Sequence, residues 1–299
     1  MTQTHTLSGK VAVITGGARG IGKIVTAALV ANGAQVVIGD LLVKEGEATV
    51  RELNESAGAT VAAFLRTDVT KYNDNIALFK LAEKEFGGVD IAFLNAGVAS
   101  HANTIFEPMD DDIEERIMDI NTTAVIKGTK VATLHMAKRG GGVIISTASV
   151  SSFAVVPPLS AYNASKFGVM GWTRSFEILP EVCNVRVNSI CPFWVETDMV
   201  DVIANRERVD PYEKVIQAAP RVQSQTIVDA VLTLITEEHR NCEAMLCLPN
   251  GVYRLQEKVP DYPELSTEKY DAAYAKYAKE EGIQFYKEQL EQAMKRYGF

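Results

Sequence analysis

From Lys10 to about Gly251, short apolar runs alternate with amphipathic segments. The runs are Val11–Thr15, Val36–Asp40, Thr60–Leu65, Ile91–Leu94, Val143–Ser146, Val185–Ile190 and Ala244–Leu248. Apolar residues at consecutive positions predict strands buried on both faces, as in a parallel sheet. Between the runs, residues 21–32, 44–57, 71–86, 110–138, 161–180 and 224–237 repeat their apolar positions with helical period. This alternation predicts βαβ crossovers and one doubly wound α/β domain with a seven-stranded parallel sheet. Residues 191–223, interrupted by Pro192, Pro211 and Pro220, form the longest irregular stretch and are a candidate lid or binding loop.

After Leu255 the pattern changes. Residues 256–299 are rich in Tyr, Lys and Glu, with Tyr270, Tyr274 and Tyr277 at helical spacing. Ile283, Tyr286, Leu290, Met294 and Tyr297 form a stripe. The segment reads as a C-terminal extension of two amphipathic helices, docked on the domain of residues 1–255 or on a partner subunit. A net-acidic composition argues against a membrane-surface helix.

Composition removes several function classes. The 299 residues are 47% hydrophobic and 23% charged, as in an ordinary globule. A formal charge of −8 offers no basic field for nucleic acid. Cys183, Cys191, Cys242 and Cys247 form no CxxC pair, and His5, His101, His135 and His239 lack metal-ligand spacing. No metal site or disulfide framework is expected. The polar N-terminus and the lack of a long apolar stretch point to a cytoplasmic protein without a membrane span.

The first strand runs into Thr15-Gly-Gly-Ala-Arg-Gly-Ile-Gly22 and then a helix. Gly16, Gly20 and Gly22, with Arg19 and Ile21 between them, make a turn almost free of side chains. A pyrophosphate can approach backbone N–H groups there, at a helix N-terminus, in the manner of a Rossmann-type domain. Asp40 ends the second strand, where a carboxylate can accept from a ribose 2′-hydroxyl and repel a 2′-phosphate. This favours NAD over NADP, although Arg19 could reach such a phosphate. Asp68-Val69 follows the third strand at a height suited to the adenine, and Asn95-Ala96-Gly97 closes the fourth with small residues. Each of these alone would also pass for an ordinary turn or cap.

Tyr162 and Lys166 stand one helical turn apart. A free phenol titrates near pH ~10, and a neighbouring ammonium favours the phenolate. The pair is therefore a candidate base for an alcohol proton. Ser149 lies upstream at the end of the fifth strand, where its hydroxyl could hold a substrate oxygen. Asn121 sits inside a predicted helix, where by itself it would read as a locally bonded polar residue.

Together, Thr15–Gly22, Asn95–Gly97, Asn121, Ser149 and Tyr162/Lys166 resemble the short-chain dehydrogenase/reductase family in order and spacing, over roughly residues 7–251. Within it, Gly141–Ile145, Gly171–Ser175, Val185–Pro192 and Leu232–Ile235 look like NAD-dependent hydroxyprostaglandin dehydrogenases. The resemblance implies Tyr162 as base in oxidation and acid in reduction. It implies Lys166 on the nicotinamide ribose, Ser149 on the substrate oxygen, and Asn121 holding a water that links Lys166 to solvent. Pro192-Phe-Trp-Val-Glu-Thr197 occupies the family's Pro-Gly stretch, so Pro192, Val195 and Thr197 carry over as nicotinamide contacts. Phe193 replaces the expected Gly, which predicts either strain or a different path for the loop.

Prostaglandin-active relatives are expected to carry a polar amide at position 159, where this chain has Leu159. Phe153, Val155, Leu159, Phe193 and Trp194 would make an apolar pocket or else pack as plain core and loop, with Met199 and Tyr212 in a lid, while His101 could face the pocket but reads better as a solvated loop histidine. The reading is an NAD(H)-dependent oxidoreductase for a small hydrophobic secondary alcohol or its ketone. Alternatives are a ketone reductase or epimerase of secondary metabolism, or a non-catalytic dinucleotide-binding protein. The resemblance further implies a homodimer or homotetramer built on helices 110–138 and 161–180.

Overall fold

The computed structural model describes residues 7–99, 109–157, 159–197, 211–257 and 262–299. Seven strands pair in parallel: β1 (Val11–Thr15), β2 (Gln35–Asp40), β3 (Ala62–Arg66), β4 (Ile91–Leu94), β5 (Gly142–Thr147), β6 (Val185–Pro192) and β7 (Ala244–Cys247). Their order is β3-β2-β1-β4-β5-β6-β7, with β8 (Tyr253–Leu255) beyond β7. The chain reverses direction across the sheet between β1 and β4. A cleft opens there at the strands' C-terminal ends.

The strands are largely apolar because helices cover both faces. Ala12 and Ile14 of β1 point to one side, toward Val25 and Leu29 of α1 (Gly20–Ala31) and Ile227, Val231 and Leu234 of α9 (Ser224–Thr236). Val11 and Val13 point to the other, toward α3 (Tyr72–Phe86), α5 (Ala124–Arg139) and α6 (Ser160–Thr173), which contribute Phe79, Met136 and Val169. Each such side chain, fully buried, stabilises the fold by about 2 kcal/mol. The helix α2 (Val43–Ala57) stops at Gly58 and α3 at Gly87, both in the left-handed region with φ 63° and 85°.

Three expectations need correction. The sheet has an eighth, antiparallel strand, β8. Its cue is Asn250-Gly251, whose φ of 63° and 73° make the primed hairpin turn that joins β7 to β8, with Leu248 N–H donating to Val252 O at 2.8 Å. The helix expected over 110–138 is α4 (Asp111–Met118), a π-helical turn (Asp119–Thr123) and α5, so Asn121 lies in a widened turn. The helix expected over 161–180 ends at Thr173. Pro180 then opens the short α7 (Leu179–Cys183) instead of continuing α6.

Pro211–Ala218 forms α8 within the stretch read as irregular. Beyond β8, α10 (Glu268–Ala273), a π-helical segment (Tyr274–Glu280) and α11 (Glu281–Tyr297) follow one another without a break. The sequence suggested two separate helices. Ile283, Leu290 and Met294 are half-buried, whereas Tyr286 and Tyr297 of the same stripe are exposed. Phe299 packs edge-on against the buried His135 of α5, with centroids 4.6 Å apart. Lys279 pairs with Glu177 at 2.9 Å. Among the described residues, no helix is long and apolar enough to cross a membrane.

Candidate active site

A cleft of about 600 Å³ runs along the C-terminal edge of the sheet. Gly16, Arg19, Gly20, Ile21, Asp40, Asp68, Val69, Asn95, Ala96, Gly97, Ser149, Tyr162, Lys166, Pro192, Val195 and Thr197 all line it. Gly22 and Asn121 lie buried behind that wall.

At one end, the first turn of α1 has no side-chain cap. Its N–H groups face outward with the positive end of the helix dipole, a cradle for phosphate. The glycines are required sterically. A Cβ on Gly16, whose φ is +66°, would meet Ala96 Cα at 2.8 Å, and one on Gly22 would meet Gly16 O at 2.0 Å. Gly20 leaves its side open to Thr197, whose Cγ2 would lie 3.5 Å from such a Cβ.

Asp40 is oriented by two N–H donors, Ala18 at 3.0 Å and Leu42 at 3.1 Å, and keeps acceptor capacity for a sugar hydroxyl. Asn95 ties the strand ends together. Its amide donates to Gly16 O at 3.1 Å and accepts from the Thr147 hydroxyl at 3.0 Å, while the Asn95 N–H donates to Thr15 Oγ1 at 3.0 Å.

At the other end, α6 presents Tyr162 and Lys166 to the cleft. Tyr162 and Ser149 line the cleft together, and Ser149 favours the Tyr162 phenolate. Lys166 Nζ lies 5.6 Å from the centre of the Tyr162 ring and donates to Thr147 O at 2.8 Å. Ser149 is held as the cap of a 3-10 turn and accepts from Ser151 N–H at 3.1 Å. Asn121 accepts from Val98 N–H at 2.8 Å and donates to Val98 O at 3.0 Å and Ser165 Oγ at 3.1 Å. A Cβ on Gly97 would approach Asn121 Oδ1 to 3.3 Å and Lys166 Nζ to 3.6 Å, so only a small residue fits between them.

The electrostatics differ from the sequence expectation of a depressed phenol. Burial pushes Tyr162 up to about 12, with the neighbouring Ser149 opposing it, and pushes Lys166 down to about 8. In the chain by itself, burial outweighs any help the ammonium gives the phenolate.

Leu159, Val155, Phe193, Trp194 and Tyr212 line the cleft beside Tyr162, but Phe153 does not. Its ring joins the core under β5 and receives the Arg174 guanidinium at 5.5 Å. Phe193 is not strained. Its φ lies outside the left-handed region, and its N–H donates to Cys247 O at 3.0 Å, extending the ladder past β6. Met199 and His101 fall outside the described residues. Sequence reading missed Thr147, whose carbonyl is the Lys166 acceptor, and Asn163, whose amide bonds Val156 on both sides (2.8 and 3.3 Å) and so clamps the loop before α6. Thr147 has no local signal because a backbone carbonyl carries no residue preference, and Asn163 has none because its partner Val156 is identified only by the folded loop.

The chain resembles known proteins over most of its length. The short chain dehydrogenase family model matches residues 10–208. The 3beta-hydroxysteroid dehydrogenase 2 of Eggerthella lenta is 37% identical over 194 residues, 64% of this chain and 74% of that protein. Human 15-hydroxyprostaglandin dehydrogenase (NAD(+)) is 30% identical over 247 residues, 79% of this chain and 89% of that one. Among solved structures, a short-chain type dehydrogenase/reductase from Mycobacterium marinum superposes with a TM-score of 0.73 at 28% identity, covering 82% of this chain and 96% of the other. The glycine cradle, the Tyr162–Lys166 turn and these likenesses agree: the chain belongs to the short-chain dehydrogenase/reductase family, oxidoreductases of CH–OH groups that bind nicotinamide dinucleotides.

Proposed function

We propose that the protein interconverts a hydrophobic secondary alcohol and its ketone with NAD(H), using Tyr162 as base in oxidation and as acid in reduction. The observation that carries this reading is the meeting of Ser149, Tyr162 and Lys166 at the apolar end of a cleft whose other end is a phosphate cradle. The residues present fit a dinucleotide. Its phosphates would meet the α1 N-terminus, its adenosine ribose Asp40, its adenine Asp68 and Val69, and its nicotinamide half Lys166, Pro192, Val195 and Thr197. When bound, it supplies the hydride acceptor or donor.

Tyr162 holds the proton that leaves or returns to the alcohol oxygen, and Ser149 orients that oxygen. Lys166 keeps a positive charge near the phenol. The second lone pair of Asn121 Oδ1 is available to a water serving Lys166. Asp40 supports NAD, because a 2′-phosphate would face its carboxylate. Leu159, Val155, Phe193 and Trp194 support an apolar substrate, in keeping with relatives named for steroid and prostaglandin hydroxyls. Exposed Ile113, Met118 and Phe167 on α4 and α6 support a homodimer or homotetramer through those helices.

The test is turnover of a panel of apolar secondary alcohols and ketones with NAD(H) and NADP(H), followed by nicotinamide absorbance. Turnover with NAD(H) that disappears in Tyr162→Phe is the expected result. A preference for NADP(H), or equal rates in the variant, would overturn it.

A further inference from the structure

The buried face of α3 carries Leu78, Phe79 and Ala82, and one turn earlier on that face stands Asn75, 1% exposed. The helical pattern calls for an apolar residue there. Its Nδ2 donates to Val69 O at 2.8 Å and Lys71 O at 2.7 Å, which uses both amide hydrogens and settles which way the amide faces. Its Oδ1 has no protein partner. Asn75 borders a cavity of about 10 Å³, room for a single water. Thr15 borders the same cavity, and its Oγ1 accepts the N–H groups of Asn95 and Ala96 at 3.0 and 3.2 Å, leaving its hydroxyl hydrogen to donate. Val69, Ala96 and Ile120 line both this cavity and the large cleft, so they form the wall between the two.

We propose that this cavity is a one-water site and that Asn75 is a positioning residue for the adenine half of the cofactor. This rests on the reading above that Asp68 and Val69 flank the adenine. The two amide bonds fasten the turn from Asp68 to Lys71 onto α3. The water, donating to Asn75 Oδ1 and accepting from Thr15 Oγ1, braces that turn against β1 from behind the wall. A buried amide oxygen left without a donor would oppose folding, and a water within reach of both groups removes that opposition. The cofactor would then meet a preset surface instead of paying to order one.

The experiment compares full-length wild type with Asn75→Val and Asn75→Ser, measuring dissociation constants for NAD, AMP and NMN by displacement of NADH fluorescence. Asn75→Val removes both donors, and about tenfold weaker binding of NAD and AMP is expected, with NMN and kcat at saturating NAD unchanged. Asn75→Ser, which keeps one donor, should fall between. A loss of thermal stability is expected on either reading; a purely structural role would weaken AMP and NMN alike and would overturn the proposal, as would AMP binding equal to wild type. If Asn75→Val does not fold, Asn75→Ser and a high-resolution crystal of the wild type decide. One ordered water within hydrogen-bond distance of Asn75 Oδ1 and Thr15 Oγ1 supports the site, and a dry cavity sinks it. Failure of the wild type to bind NAD or AMP at all would refute the cofactor reading and with it the positioning role of Asn75, whereas selective loss of the AMP effect would refute only the latter.

Discussion

The Lys166 ammonium sits 5.6 Å from the centre of the Tyr162 ring and is anchored on the carbonyl of Thr147 at 2.8 Å. The pair is thus arranged around β5, which supplies that carbonyl and leads directly to Ser149.

Tyr162→Phe removes the only hydroxyl on that side chain and leaves the ring. Turnover should drop by about 10²- to 10⁴-fold, while NADH affinity changes little. Steady-state kinetics beside a fluorescence titration separate the two effects, and near-normal turnover would remove Tyr162 from the chemistry.

With the phenol pushed up to about 12, it is protonated at neutral pH. Oxidation, which needs a proton acceptor, should accelerate as pH rises from 7 to 10. Reduction, which needs the acid, should not. A pH profile in both directions checks this.

Lys166 has a second signature, in stability. Its folded value of about 8 lies below the ordinary 10.5, so between those values the unfolded chain keeps a proton that the folded chain has shed. Stability contributed by this group therefore rises with pH from about 8 to about 10.5, and the cost of burying the ammonium is complete below 8. Lys166→Met should abolish turnover yet raise Tm at pH 7, with the gain shrinking toward pH 10. A Tm loss at pH 7 would show that the bond to Thr147 outweighs the burial cost.

Asp40→Ala leaves Ala18 and Leu42 N–H without their acceptor and opens the ribose subsite. The ratio of NAD to NADP affinity should fall by about tenfold, corresponding to one lost charge-assisted hydrogen bond. Titration with both cofactors measures it, and an unchanged ratio would move selectivity elsewhere in the loop.

The C-terminal extension offers a separate test at His135. Burial under Phe79 and Phe299 pushes this imidazole below its usual value, while Glu83, 3.0 Å from Nδ1, pulls it up. Its folded value lies below the unfolded one, so its contribution to stability is lost as pH falls through about 6.5. Phe299→Ala should destabilise the protein by about 1 kcal/mol and move the His135 titration back toward the ordinary value, as read by proton NMR. No movement would mean that Phe299 does not keep solvent from the ring.

The family and most of the cleft lining were legible in the chain because they depend on residue type at short spacing. The strand–glycine turn–helix unit, Asp40 at the end of its strand, and Tyr162 one turn before Lys166 are local patterns, and the strands announce themselves as apolar runs. Asn250-Gly251 announced the β7–β8 hairpin just as locally and was overlooked. Other features had no local expression. The widened turn at Asn121, the Thr147 carbonyl that takes the Lys166 proton donor, and the rejection of Phe153 from the cleft arise from contacts between elements distant in the chain. The rise of the Tyr162 value has the same origin. A sequence shows which charges are neighbours, but burial is set by everything that packs around them, and here burial governs the phenol. The periodicity of the extension marked a helix, yet which of its aromatic residues meet the domain was decided only where α11 came to rest on α5 and α7.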